Sequence, residues 1–138
     1  MRKKGKSVSI GAHVIKDSGL RRQTITGSVR DKAVGKGRMD LLPFFALEEL
    51  SRHFEVGAVK YGENNWAKGQ PLSWFLDSCM RHLIKAARGQ TDEPHWVAAA
   101  WNIMCFLDIK KRIEIGLLPK ELNDLVPELP KDVQNKIA

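Results

Sequence analysis

From Leu41 onward, apolar residues return at steps of three and four. Leu47, Leu50, Phe54, Ala58 and Tyr61 share one face of a first helix, with Pro43 suited to its first turn and Gly62 to its end. The polar run ENNWAKGQP, residues 63–71, reads as a loop. Ser73 suits the N-cap of a second helix with an apolar face of Leu76, Cys79, Met80, Leu83 and Ala87, ending at Arg88-Gly89. After the acidic turn QTDEP comes a third helix, from about His95 to Ile115, stopped by Gly116. It is apolar nearly all round until Lys110, which predicts the central, most buried element. The tail carries Pro119, Pro127 and Pro130 around a short amphipathic piece (Leu122, Leu125, Val126), which either packs on a partner subunit or frays.

Ahead of Leu41 no period of 2 or 3.6 is sustained. Six of the eleven glycines fall there (Gly5, Gly11, Gly19, Gly27, Gly35, Gly37), predicting irregular structure with short extended pieces around SVSIGAHVI. The expected fold class is all-α: a helical bundle behind an irregular, basic, glycine-containing arm. The expected division is an arm over 1–40, a helical core over 41–116 and a tail over 117–138.

Composition adds limits. With 138 residues, 43% of them hydrophobic and 28% charged, the chain fits a single soluble globular domain. No run approaches the roughly 20 apolar residues that span a bilayer. MRKKGKS has basic residues but no apolar stretch behind them, so no secretory signal is expected. Cys79 and Cys105 lie inside helical patterns rather than in a CxxC pair, and read as reduced core residues of a cytoplasmic protein. The net charge of +7 is uneven: residues 1–38 hold eleven Lys/Arg against Asp17 and Asp31, while the remainder holds twelve against fourteen acids. A basic arm of this kind either binds a polyanion or serves as a solvated tail.

Several polar residues stand out against the helical pattern. On a helical wheel Glu48 and Glu55 flank the first apolar face with Arg52 close by, while Glu49 points nearly opposite the core. Such flanking carboxylates either hold a hard divalent cation or form a salt-bridge network with Arg52. Asp77, Arg81 and Arg88 make a similar flank on the second helix. If the chain reverses near Trp66 with the two helices antiparallel, Glu55 and Asp77 face each other, and a cation would relieve their repulsion. An Asp77–Arg81 pair is the simpler alternative. Asn102 is a lone amide in HWVAAAWNIMCFL, with His95 two turns earlier on nearly the same stripe. A buried amide needs a partner, either a backbone carbonyl or a ligand. In the loop, Asn64, Asn65, Trp66 and Lys68 offer either base stacking with a phosphate contact or a Trp buried over the bundle end. In the arm, GSVRD and GKGRMD set Gly beside Arg or Lys, a weak phosphate-binding signal that falls short of a Walker motif.

Together, the runs GSVRD…GKGRMDLLP, ALEELSRHFEVGAVKYGENNWAKG, LDSCMRHL and HWVAAAWN resemble the phage dATP/dGTP diphosphohydrolase family over roughly residues 17–109. That family includes the MazZ enzymes and is related to the all-α MazG-like pyrophosphohydrolases. The resemblance implies a helical bundle that binds Mg2+ or Mn2+ through helix carboxylates and cleaves purine dNTPs to monophosphate and pyrophosphate. It also implies a homo-oligomer, dimer or tetramer, with helices of two subunits forming each site. In phages that replace adenine with 2-aminoadenine, MazZ supplies dGMP for that pathway. The MazG-like pattern EExxE with ExxD is not met in full: Arg52 stands where the third Glu would, Glu55 follows three residues later, and Asp77 and Asn102 come nearest to the missing ExxD.

On this reading Glu48, Glu55 and Asp77 hold the metal, with Glu49 as a further catalytic carboxylate that could take the water proton. Lys36, Arg38, Lys60 and Arg81 would neutralise phosphates. Asn65, Trp66, Lys68, His95 and Asn102 complete the substrate-binding set, Asn102 being able to read a purine edge with donor and acceptor. Nucleic acid and membrane are not expected partners. The rival readings are a small basic nucleic-acid-binding protein using the arm, and a hydrolase of the same fold acting on another nucleotide.

Overall fold

The computed structural model describes residues 7–17 and 19–137; the basic run at residues 1–6 lies outside the described residues. The chain divides into two compact units, residues 1–42 and 43–138.

The first unit holds two antiparallel hairpins: the first lies where short extended pieces were expected, and the second corrects the expectation of irregular structure in the rest of the arm. Strand β1 (Val8–Ile10) pairs with β2 (His13–Ile15) in the register Val8↔Ile15, with Gly11 in the turn at φ +58°. Strand β3 (Arg21–Gln23) pairs with β4 (Val29–Asp31), Arg21 opposite Asp31. The Arg21 guanidinium bonds both Asp17 and Asp31 at 2.5 Å, and it is chiefly this contact that holds the Asp17 carboxyl down at about 2. Strands of three residues are too short to write an alternating pattern into the sequence, so turn chemistry and β-branched residues decide here. The chain is thus mainly helical rather than all-α.

The second unit begins with helix α1 (Phe44–Tyr61). Pro43 stands at its N-cap, one position before the first turn, and Gly62 ends it at φ +91° with its N–H on the Ala58 carbonyl. A short 3₁₀ turn, Asn65–Lys68, leads to α2 (Leu72–Ala87), and α3 runs His95–Glu114. A 3₁₀ turn at Lys120–Leu122 and a short α4 (Lys131–Ile137) follow. Ser73 is not the cap of α2. It sits inside the first turn, where its N–H (2.9 Å) and its hydroxyl (2.5 Å) both donate to the Asp124 carboxylate. An acid fifty-one residues downstream thus takes over the capping that a local side chain would normally supply.

Helix α3 is the common support: α1 and α2 each pack along it and make little contact with each other. Leu72 and Phe75 of α2 meet Cys105 and Ile109 of α3 in a buried core, ringed by Phe54, Trp66, Trp101, Phe106, Ile113, Leu118 and Leu125. The buried face of α2 is therefore Leu72, Phe75 and Cys79: of the stripe expected from the sequence only Cys79 is buried, while Leu76, Met80, Leu83 and Ala87 are exposed. Both stripes recur at helical spacing, and only the position of α3 chooses between them. Helix α1 buries no residue fully, and its Phe45 and Val59 are 86% and 87% exposed. Trp96, Ile103, Met104 and Leu107 of α3 are also exposed, so α3 is central without being enclosed.

The tail packs on its own chain, with Leu118 and Leu125 against the core. At Gly69 (φ +94°) a Cβ would come within 2.8 Å of Leu122 Cδ1, so the loop and tail approach as closely as glycine allows.

Candidate active site

Because α1 and α2 lean on α3 without closing on each other, a cleft is left between them. It holds two cavities with a shared floor: Gly57 and Tyr61 of α1, Ser78 of α2, and Trp101 and Asn102 of α3 line both. The first, of about 610 Å³, continues to Glu55, Glu63, Asn64, Asn65, Trp66 and Trp74. The second, of about 480 Å³, continues to Glu49, Arg52, His53, Lys60, His82 and Glu93. Trp74, Ser78 and His82 recur every four residues, so one stripe of α2 looks into the cleft.

The floor carries two polar features. Asn102 is buried, and its amide donates to the Ala98 carbonyl at 2.8 Å, the backbone partner of its own helix. Its side-chain oxygen has no donor among the described residues and remains available to the cavities it lines. The Trp101 indole N–H is buried without a hydrogen-bond partner among the described residues. Such an orphan costs on the order of 1–3 kcal/mol, and a ligand acceptor would remove that cost. Around it the rings of His53, Phe54 and Phe75 stand at 5.8, 5.7 and 6.4 Å between centroids. Trp66 is not free-standing: it meets the Phe54 ring edge-on at 5.9 Å and lies under the Arg112 guanidinium at 5.4 Å. It is a wall of the first cavity and part of the core at once.

The carboxylates divide. Glu55 lines the first cavity with Glu63, and neither has an ion pair among the described residues. Ser51 lines the same cavity, and Glu48 lies three residues before it on the Ser51–Glu55 stripe. Glu49 lines the second cavity and is paired with Arg52. Asp77 is 67% exposed, is bonded to Arg81, and lines neither cavity. The expected meeting of Glu55 with Asp77 inside one chain does not occur. Helices α1 and α2 make little contact with each other, and Asp77 is turned about 100° from the cleft-lining Ser78.

Among the basic candidates, Lys60 lines the second cavity with its ammonium 4.9 Å from the Tyr61 ring centroid, and the Tyr61 contact raises its pKa. Arg81 stays with Asp77, and Lys68 is exposed at the end of its turn and lines neither cavity. Lys36 and Arg38 belong to the first unit, where Arg38 holds Asp40 through two bonds of 2.7 and 2.5 Å. His95 is buried, with Nε2 3.0 Å from Asp92 Oδ1 and Nδ1 3.0 Å from His82 Nδ1. Burial lowers the pKa of His82 and of His53, which favours their neutral rings.

A family model described as dATP/dGTP diphosphohydrolase, N-terminal, matches residues 26–116, well over half of the chain. The chain belongs to that family. Membership makes it a hydrolase of the diphosphohydrolase kind, and the matched span contains every residue that lines the two cavities. No curated protein and no solved structure matches it. Within this diphosphohydrolase domain, sequence reasoning missed Ser78, Trp101, His53, His82, Glu63 and Glu93 as lining residues. The spacing Leu72, Phe75, Cys79, His82 was the available signal for His82, since it continues the buried face at steps of three and four. Trp101 drew no reading of its own because nothing in a sequence shows an indole N–H without a partner.

Proposed function

We propose that the cleft hydrolyses purine deoxynucleoside triphosphates, dGTP and also dATP, to the monophosphate and pyrophosphate. The observation that carries this reading is a cleft whose floor presents Trp101 and Asn102 while unpaired carboxylates line its rim, in a chain of the diphosphohydrolase family. A flat base fits beside the indole, with the Trp101 N–H as donor and the Asn102 oxygen as acceptor for its edge. Lys60 lines the second cavity beside this floor and has no carboxylate partner among the described residues, which suits it to the phosphates. Water attacks the α-phosphorus, its oxygen stays on the monophosphate, and the bridging oxygen leaves with pyrophosphate.

The divalent ion implied by this chemistry fits the donors on α1 and the loop that follows it. Glu48, Glu55 and Glu63 are hard oxygen ligands without ion pairs among the described residues, the kind that Mg2+ or Mn2+ takes. Such an ion, when bound, polarises phosphate oxygens and lowers the pKa of a water. Asp77 stands outside the cleft of its own chain, so it would join these ligands only from a second copy. A homo-oligomer is part of the proposal: α1 has no buried residue yet carries Phe44, Phe45, Val56 and Val59 in the open. A role in phage nucleotide metabolism for modified-base DNA is the setting the family suggests.

None of the described helices is long and apolar enough to cross a membrane. A panel of dNTPs and NTPs incubated with Mg2+ or Mn2+, resolved by chromatography, tests the reading. Monophosphate and pyrophosphate from dGTP or dATP are expected. Release of orthophosphate would refute the bond proposed, and turnover of pyrimidines alone would refute the substrate.

A further inference from the structure

Three side chains from separate elements converge at the far end of the second cavity. His82 comes from α2, Glu93 from the turn after it, and His95 from the first residue of α3. The His95 ring is almost wholly buried, and its Nε2–H is taken by Asp92 Oδ1 at 3.0 Å. That bond fixes the tautomer in which Nδ1 keeps its lone pair. This Nδ1 lies 3.0 Å from His82 Nδ1, and Glu93 Oε2 lies 3.8 Å from the one nitrogen and 3.9 Å from the other.

A histidine pair sharing one proton would account for the 3.0 Å contact alone. It leaves the carboxylate unexplained, since Glu93 stands almost equidistant from both nitrogens and too far to hydrogen-bond either. A triangle with sides of 3.0, 3.8 and 3.9 Å has its centre about 2.1 Å from each corner. That radius falls within the roughly 2.0–2.2 Å of metal–imidazole and metal–carboxylate bonds.

We propose that His82, Glu93 and His95 bind one divalent transition-metal ion, with Asp92 orienting His95 from behind. Two imidazoles with one carboxylate favour Zn2+, Co2+ or Mn2+ over Mg2+ and Ca2+. Asp92 supplies the carboxylate–histidine support that metal-bound imidazoles usually have. The site shares no ligand with Glu48, Glu55 and Glu63 and stands whether or not the cleft hydrolyses nucleotides. His82 and Glu93 also line the second cavity, so three protein donors leave coordination positions at its wall.

The test uses the full chain stripped with chelator. Co2+ is titrated while its visible absorption is followed, and Zn2+ is titrated by calorimetry. One ion per chain is expected, held in the presence of a hundredfold excess of Mg2+. Glu93→Gln and His82→Asn should each weaken Co2+ binding at least tenfold with helical circular dichroism unchanged. Asp92→Asn should weaken it about tenfold, and His13→Ala, a histidine of the first unit, should bind like the parent. Absence of stoichiometric Co2+ and Zn2+ uptake would overturn the site. So would parent-like affinity in both Glu93→Gln and His82→Asn.

Discussion

The two cavities of the cleft share a floor and differ in their donors. One offers the oxygens of Glu55 and Glu63 along α1 and its C-terminal loop; the other is bordered by the imidazoles of His53 and His82 with Glu93. The difference follows from how each is built. Carboxylates on a helix with no buried residue stay solvated and cost little to keep charged, which suits a hard, labile cation. Imidazoles whose pKa burial lowers stay neutral, which suits a tighter, softer one. On the two proposals, a single strip of α3 would serve two chemistries because its neighbours are packed to different depths.

The largest effect expected on this contrast comes from the oxygen end. Glu55→Gln should lower kcat for dGTP about a hundredfold or more with helical content unchanged, as removal of a charged ligand or base does. Parent-like turnover would move the chemistry away from the first cavity. The shared floor should respond more mildly. Trp101→Phe removes the unpaired N–H and should raise KM about fivefold, the worth of one neutral hydrogen bond of about 1 kcal/mol, with kcat nearly unchanged. A change in kcat alone would detach Trp101 from base recognition. The smallest effect belongs to the residue outside both cavities. Asp77→Asn breaks an exposed pair with Arg81, so the unfolding free energy should shift by less than about 0.5 kcal/mol and turnover by no more than a few-fold. Lost turnover with an unchanged unfolding curve would bring Asp77 into the cleft of a second copy.

The long helices were legible because each carries several turns of apolar spacing, and Asn102 because it is the one amide in HWVAAAWNIMCFL. What escaped was set by tertiary partners. Leu72 and Phe75 were hidden on α2 because a second apolar stripe, Leu76, Met80 and Leu83, competes at the same period. The capping of α2 by Asp124 and the second hairpin, Arg21–Asp31, leave no local trace, whereas the first hairpin falls where SVSIGAHVI had suggested extended pieces. His82, Glu93 and His95 sit on three elements, and only the tight turn between α2 and α3 folds them onto one point. Asp77 was misplaced relative to Glu55 for the converse reason. Its flank position on the helix was read well enough, but the helix it was set against is not its neighbour.

The Asp124 carboxylate on the first turn of α2 works as a buckle. Together with Leu118 and Leu125 it straps residues 117–125 across the end of the bundle that carries Trp66, beyond the last residue of the family match. A chain cut after Gly116 would keep every cavity-lining side chain yet leave α2 unfastened at the end from which Trp74 and Ser78 are aimed. Grafting this domain into another protein therefore means carrying the strap along with it.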